Sequence, residues 1–146
     1  MRVSEAMTRD VRVCSPGNSI RDCARMMTEI DAGAMPVGDN DCLIGMITDR
    51  DIAIRAVARG KGPDTPVGEI MSGEIRYCFE DEELDHVAKN MADLRVRRLP
   101  VMSREKRLVG ILSLGNVALK DAPKLAARAL QGVSKPGGPH SQSASP

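Results

Sequence analysis

The stretch "GMITDRD" at 45–51 decides how this chain is read, because "GILSLGN" at 110–116 repeats its shape. Each begins at a glycine, passes two apolar residues to a hydroxyl, Thr48 or Ser113, and reaches Asp51 or Asn116 three positions later. Working outward, a shift of 64 residues lays Val3 on Val67, Met7 on Met71, Cys14 on Cys78, Met27 on Met91, Pro36 on Pro100 and Val37 on Val101. One extra residue in the loop 102–107 raises the shift to 65, and Gly45 then falls on Gly110 and Asp51 on Asn116. Repetition of one supersecondary unit governs the sequence.

Each copy has the same coarse pattern. A short strand, "VRVC" (11–14) or "IRYC" (75–78), meets turn and capping residues, "SPGNS" or "FEDEE". Ile20, Cys23, Ala24, Met27 and Ile30, matched by Leu84, Val87, Ala88, Met91 and Leu94, recur at helical spacing and predict an amphipathic helix. The next strand carries "MPV" or "LPV", whose proline predicts a strand edge or start. A charged turn, "GDND" or "SREK", leads to a third strand, "LIGMIT" or "LVGILS", and a second helix opens at Asp51 or Asn116.

The expected fold is therefore α/β: two β-α-β-β-α repeats, 1–62 and 63–121, packed about a pseudo-two-fold axis. Gly and Pro in "RGKGPDTP" (59–66) mark the join. One such unit buries too little surface to stand alone, so the two are expected to share a core. "DAPKLAARALQG" (121–132) predicts a short C-terminal helix over 122–132, and the Pro, Gly and Ser of 133–146 predict a disordered tail.

Composition narrows the function. A chain of 146 residues that is 42% hydrophobic and 28% charged suits a globular protein, and its core must come from aliphatic residues because Tyr77 and Phe79 are its only aromatics. A net charge of +1 gives no footprint for a nucleic-acid surface. "MRVSEAMTRD" lacks a leader's apolar centre, and no segment approaches the roughly 18 apolar residues of a membrane helix, so a cytoplasmic protein is expected. Cys14, Cys23, Cys42 and Cys78 form no C-x-x-C pair, which speaks against a zinc site or a disulfide framework and for buried thiols. No Ser-His-Asp or Cys-His set stands out, His86 falls on the polar side of "ELDHVAKNM", and "GPDTPVG" lacks the order of a phosphate loop. An enzyme is not expected, nor a required cofactor.

Two readings of the repeated motif stay open. Thr48 and Asp51 can cap a helix, a role that stabilises it by about 1 kcal/mol. A hydroxyl and a carboxylate at that spacing can also accept the hydroxyls of a ribose, beside a helix start that attracts phosphate.

Two β-α-β-β-α units, each ending in G-h-h-[TS]-x-x-[DN] after an h-P-V, resemble a pair of CBS domains, or Bateman module, over about residues 3–121. "SEAMT" and "VGEIMS" look like that family's lead-in segments, and "GMITDRDIAIRAVARG" resembles small stand-alone bacterial CBS-pair proteins. The resemblance implies regulatory binding of an adenine nucleotide or adenosyl compound in the cleft between the repeats, with AMP, ADP, ATP, NAD and S-adenosylmethionine as candidates. It implies that Met46, Thr48 and Asp51 form one site and Ile111, Ser113 and Asn116 the other. Thr8, Arg9, Val11, Ser72 and Ile75, with Ala32 and Gly33, would line the adenine pockets. Basic residues before h-P-V contact phosphate in the family, so Arg97 and Arg98 are the phosphate candidates, and strand alternation favours one of them over both. Asn116 lacks the charge that strengthens a hydrogen bond, so at most one ligand is expected to be held tightly. The resemblance further implies a homodimer formed through helix faces, for which the Met-rich "ARMMTEI" is a candidate, and an unidentified effector protein. A dimerisation or docking module that needs no ligand is the other reading.

Overall fold

A four-residue helix, α1 (Val3–Ala6), opens the computed structural model, which describes residues 1–9, 11–40, 42–73, 75–120 and 123–135. After it come α2 (Ile20–Ile30), β1 (Ala34–Asp39), β2 (Cys42–Thr48), α3 (Asp49–Asp51), α4 (Val67–Ile70), β3 (Cys78–Phe79), α5 (Leu84–Leu94), β4 (Arg98–Met102), β5 (Leu108–Ser113), α6 (Leu114–Leu119) and α7 (Pro123–Ser134). The chain divides into two compact units. One runs over residues 12–75, and the other joins residues 1–11 to the described residues from Arg76 onward.

Within residues 12–75, Ser19 starts α2 by accepting the Asp22 N–H at 3.1 Å. The helix then buries Ile20, Cys23 and Met27 against Met35 and Val37 of β1, Ile47 of β2 and Val67 and Ile70 of α4. Met26 and Ile30 pack against the same cluster, so the methionines of "ARMMTEI" serve the core of this unit. Cys14 and Cys23 are fully buried with their sulfurs 3.0 Å apart. Strands β1 and β2 pair antiparallel, Ala34 opposite Thr48 and Val37 opposite Gly45.

The other unit is built alike. The first helix face buries Leu84, Val87, Ala88 and Met91 with Val3, Ala6 and Met7 from the N-terminal segment, Leu99 and Val101 of β4 and Leu112 of β5. Each lead-in segment thus packs with the helix of the other sequence copy: Val3 with α5, Val67 with α2. Strands β3, β4 and β5 form one sheet, parallel between β3 and β4 and antiparallel between β4 and β5. Helix α7 crosses α5 closely; a Cβ on Gly132 would lie 2.5 Å from the Ala92 backbone.

Several expectations are corrected. The first strand of the first copy shrinks to a single bridge, Cys14 with Val37, because Arg12 and Val13 stand exposed beside it. Its counterpart is only two residues long and begins at Cys78. Neither proline starts its strand; Pro36 lies on β1 of a two-stranded sheet, an edge as expected, whereas Pro100 lies on β4, the middle strand of its sheet. The Pro36 carbonyl accepts the Cys14 N–H at 3.0 Å, so its ring nitrogen turns away from β2 and costs the β1–β2 ladder no donor. The second helices open at Asp49 and Leu114, two residues before Asp51 and Asn116. After Asp51 the first continues through a π-helical turn, Ile52–Ala56, and a 3-10 turn, Val57–Arg59. Leu94 is exposed at the end of α5, where Arg95 turns left-handed. The C-terminal helix extends past 132 to Ser134, held by Val133 at 9% exposure. The tail expected from 133 onward otherwise lies, from 136, outside the described residues.

Candidate functional site

The repeated glycine is where each unit is crossed by its lead-in segment. In residues 12–75, Met46 and Ser72 exchange two backbone hydrogen bonds, Met46 N–H to Ser72 O at 3.0 Å and Ser72 N–H to Met46 O at 2.8 Å. A Cβ on Gly45 would collide with the Ser72 carbonyl. In the other unit Thr8 and Ile111 exchange the matching pair, both at 2.9 Å, and a Cβ on Gly110 would lie 2.8 Å from the Thr8 oxygen. Glycine is required because another strand of backbone passes where its side chain would be.

Three residues later the chain leaves the strand and enters the helix through a capping box. Thr48 Oγ1 accepts the Asp51 N–H at 3.0 Å, and Asp51 Oδ2 accepts the Thr48 N–H at 3.0 Å. Thr48 and Asp51 are 8% and 5% exposed. The second carboxylate oxygen, Oδ1, lies 3.8 Å from Nε of Arg55 one turn on, whose Nη1 points to the carbonyls of Ile70 and Met71 at 3.4 and 3.5 Å. Arg55 was not singled out in the sequence, although its i,i+4 spacing from Asp51 was legible there.

Ser113 and Asn116 build the same box, with the Asn116 N–H on Ser113 Oγ at 3.1 Å and the Ser113 N–H on Asn116 Oδ1 at 2.9 Å. The amide nitrogen, standing where Asp51 has its second oxygen, donates to Thr8 Oγ1 at 3.3 Å. Arg98 pairs with Ser113 across the strands, and the Arg97 carbonyl accepts the Leu114 N–H at 3.1 Å. Both arginine side chains are exposed.

The fifteen residues expected at the sites fall into two sets. Ala32, Gly33, Met46, Thr48, Asp51, Ser72 and Ile75 belong to residues 12–75; Thr8, Arg9, Val11, Arg97, Arg98, Ile111, Ser113 and Asn116 belong to the other unit. Not all converge. Arg9 turns its guanidinium back to the Ser4 carbonyl at 2.9 Å, and Ile75 is exposed. Gly33 accepts the Asp49 N–H at 2.9 Å and lies under the Asp49 carboxylate, whose Oδ2 would be 2.8 Å from a Cβ at that position. In the sequence, Asp49 stands with Arg50 and Asp51 in a cluster that has no nucleophile or cofactor loop nearby; the contact with Gly33 is what the structure adds.

No helix among the described residues is long and apolar enough to cross a membrane. Nor does any group of three or more His, Cys, Asp or Glu side chains among them offer a metal site.

Against known proteins, the CBS domain family model matches residues 3–57 and 67–121. CBS domain-containing protein YhcV of Bacillus subtilis is 39% identical over 117 residues, covering 80% of this chain and 83% of its own. Hypoxic response protein 1 of Mycobacterium tuberculosis is 37% identical over 116 residues, 78% of this chain and 80% of its own. A crystal structure of Hypoxic Response Protein I with two coordinated zinc ions aligns at a TM-score of 0.74 and 34% identity, over 82% of this chain and 98% of that one. The CBS domain pair of protein MJ0100, solved with 5'-methylthioadenosine and S-adenosyl-L-methionine, aligns at 0.75 and 26% identity, over 85% and 98%.

Proposed function

The chain belongs to the CBS-domain family, and from that premise we propose that it is a non-catalytic regulatory module that binds an adenine nucleotide or adenosyl compound and passes the change to a separate partner. The supporting observation is the doubled motif edge, where a crossing backbone, a hydroxyl and a carboxylate or amide lie side by side in each unit. At the first edge Asp51 and Thr48 accept the ribose hydroxyls, and backbone of Met46 and Ser72 with Ala32 and Gly33 receives the base. At the second, Asn116 and Ser113 take the ribose, with Thr8 and Ile111 beside the base and Arg97 or Arg98 on phosphate. The MJ0100 pair, of the same fold, was solved with two adenosyl compounds. The exposed Ile54 and Val57 in one unit, and Leu119 in the other, give apolar surface for a second copy and an effector, within the cytoplasm.

Thermal unfolding followed by circular dichroism with AMP, ADP, ATP, NAD and S-adenosylmethionine tests the reading. A compound at 100 times its dissociation constant stabilises by about 2.7 kcal/mol, a shift of roughly 5–10 °C for a chain of this size.

One observation favours the ligand-free docking module instead: both Asp51 oxygens already have partners, the Thr48 N–H and Arg55. That reading expects no compound to move the transition.

A further inference from the structure

Two free thiols meet in the core of residues 12–75. Cys14 and Cys23 are fully buried with their sulfurs 3.0 Å apart, and Met35 Sδ lies 3.8 and 4.0 Å from them. The other unit has no such pair. Cys78 corresponds to Cys14 there, but Val87 corresponds to Cys23 and fills the same place on its helix at 1% exposure. Packing at that position is thus satisfied by an aliphatic side chain and does not require a second thiol.

The pair stands close to a bond. A disulfide holds its sulfurs about 2.05 Å apart, so closing the gap takes a movement of about 1 Å. The hydrogen bond between the sulfurs favours the anionic form of Cys14 and holds its thiol below the ordinary 9.0 against the effect of burial. The same bond, with burial, raises the Cys23 thiol. This suits Cys14 to attack and Cys23 to resolve.

Access runs through the segment that carries Cys14. It is the only buried residue between 11 and 19, and two backbone bonds hold it to β1, Cys14 N–H to Pro36 O at 3.0 Å and Gly38 N–H to Cys14 O at 2.8 Å. A short segment anchored by one buried side chain opens more readily than the helix and strands it covers. A small, uncharged oxidant needs the least opening to reach the sulfurs.

We propose that Cys14 and Cys23 form a redox modification site that a hydroperoxide converts to a reversible disulfide. The Cys14 thiolate attacks the peroxide, its O–O bond breaks, and the departing oxygen leaves as water with the proton that Cys14 gave up; Cys14 becomes a sulfenic acid. The Cys23 sulfur then attacks the Cys14 sulfur, the S–S bond forms, the S–O bond breaks, and the oxygen leaves as a second water with the Cys23 proton. Two thiols lose two electrons and one peroxide gains them. Exchange with a dithiol restores both thiols. The site is independent of any ligand held at Asp51.

Oxidation of the full chain by hydrogen peroxide tests it, in a Cys42→Ser variant that removes the exposed thiol. Remaining thiols are blocked in denaturant, and trypsin, cutting at Arg12, Arg21 and Arg25, separates residues 13–21 from 22–25. Mass spectrometry is expected to find these two peptides joined, with the loss of two hydrogens, and dithiothreitol is expected to part them. The joined form should appear roughly tenfold or more faster than Cys78 is oxidised, an order-of-magnitude expectation for a thiolate with a resolving partner beside it. Equal rates at Cys14 and Cys78, sulfinic acid at Cys14 without a joined peptide, or no oxidation of Cys14 overturns the inference.

Discussion

The side-chain amide of Asn116 donates to the Thr8 hydroxyl over 3.3 Å, joining residues 108 positions apart. In the other unit the lead-in segment is reached instead by Arg55, which also faces Asp51. The Asp-to-Asn difference between the copies thus has a structural side: each residue completes a capping box with one atom and meets a different neighbour with the other.

Thr8→Val removes only that long-range bond and is expected to cost about 0.5–1.5 kcal/mol. Asn116→Ala also loses the capping-box acceptor and is expected to cost roughly 1 kcal/mol more. Urea unfolding of both variants measures the difference; equal losses would contradict the division of labour between the two side-chain atoms.

The glycines are constrained by what crosses them. Gly45→Ala and Gly110→Ala force a Cβ onto the carbonyls of Ser72 and Thr8, and a loss of about 1–3 kcal/mol is expected. Gly17→Ala and Gly62→Ala, with nothing within 4 Å, are expected to stay within about 0.5 kcal/mol. A melting series of the four variants shows whether the pattern holds.

Repeat, element type and core-facing residues were legible because helical periodicity and self-similarity are local properties of a sequence. Ile20, Cys23 and Met27, with Leu84, Val87 and Met91, lie in the cores expected of them. What could not be read was pairing. The first strand dwindles to Cys14 because its partners are set by packing, and Val3 and Val67 join the helix of the opposite copy, which no local pattern records. The capping box of Thr48 and Asp51 was legible from their spacing, while the contact between Asp49 and Gly33 was not.

Arg104 reaches the Asp81 carboxylate through Nε at 2.9 Å and Nη2 at 2.8 Å and lies 4.0 Å from the Phe79 ring centre. Its hydrogen bonds hold the Asp81 carboxyl below the ordinary 3.8. The depressed group favours folding above that ordinary value, and the contribution is lost as pH falls through the lower folded value. The melting difference between the wild type and Arg104→Ala should therefore narrow below about pH 4 and shrink in salt at neutral pH, since both groups are exposed. A difference independent of pH would assign it to the Phe79 contact.

The thiols should separate by burial. Burial, followed by the nearby Glu82 charge, pushes the Cys78 thiol up to about 12, and Cys14 and Cys23 are also buried, whereas Cys42 is exposed. At pH 8 one thiol should be alkylated quickly and three only as the protein opens. The unfolded Cys78 ionises first near its ordinary 9.0, so this thiol's contribution to stability falls as pH rises from there through the folded value. Counting alkylated sites by mass spectrometry against time checks the order; rapid loss of Cys78 in native protein would contradict it.

Asp51→Asn offers the most direct measurement of ligand binding, because Asn116 already shows that an amide closes the same capping box. Calorimetric titration of wild type and Asp51→Asn with the adenine compounds should find one that binds the wild type and binds the variant roughly tenfold or more weakly, as loss of a charge-assisted bond implies. The ligand-free melting midpoint should move by no more than a few degrees, about 1 kcal/mol. Equal affinity in the two proteins, or no binding by the wild type, would contradict a ribose-holding role for Asp51 and leave the residue as a helix cap.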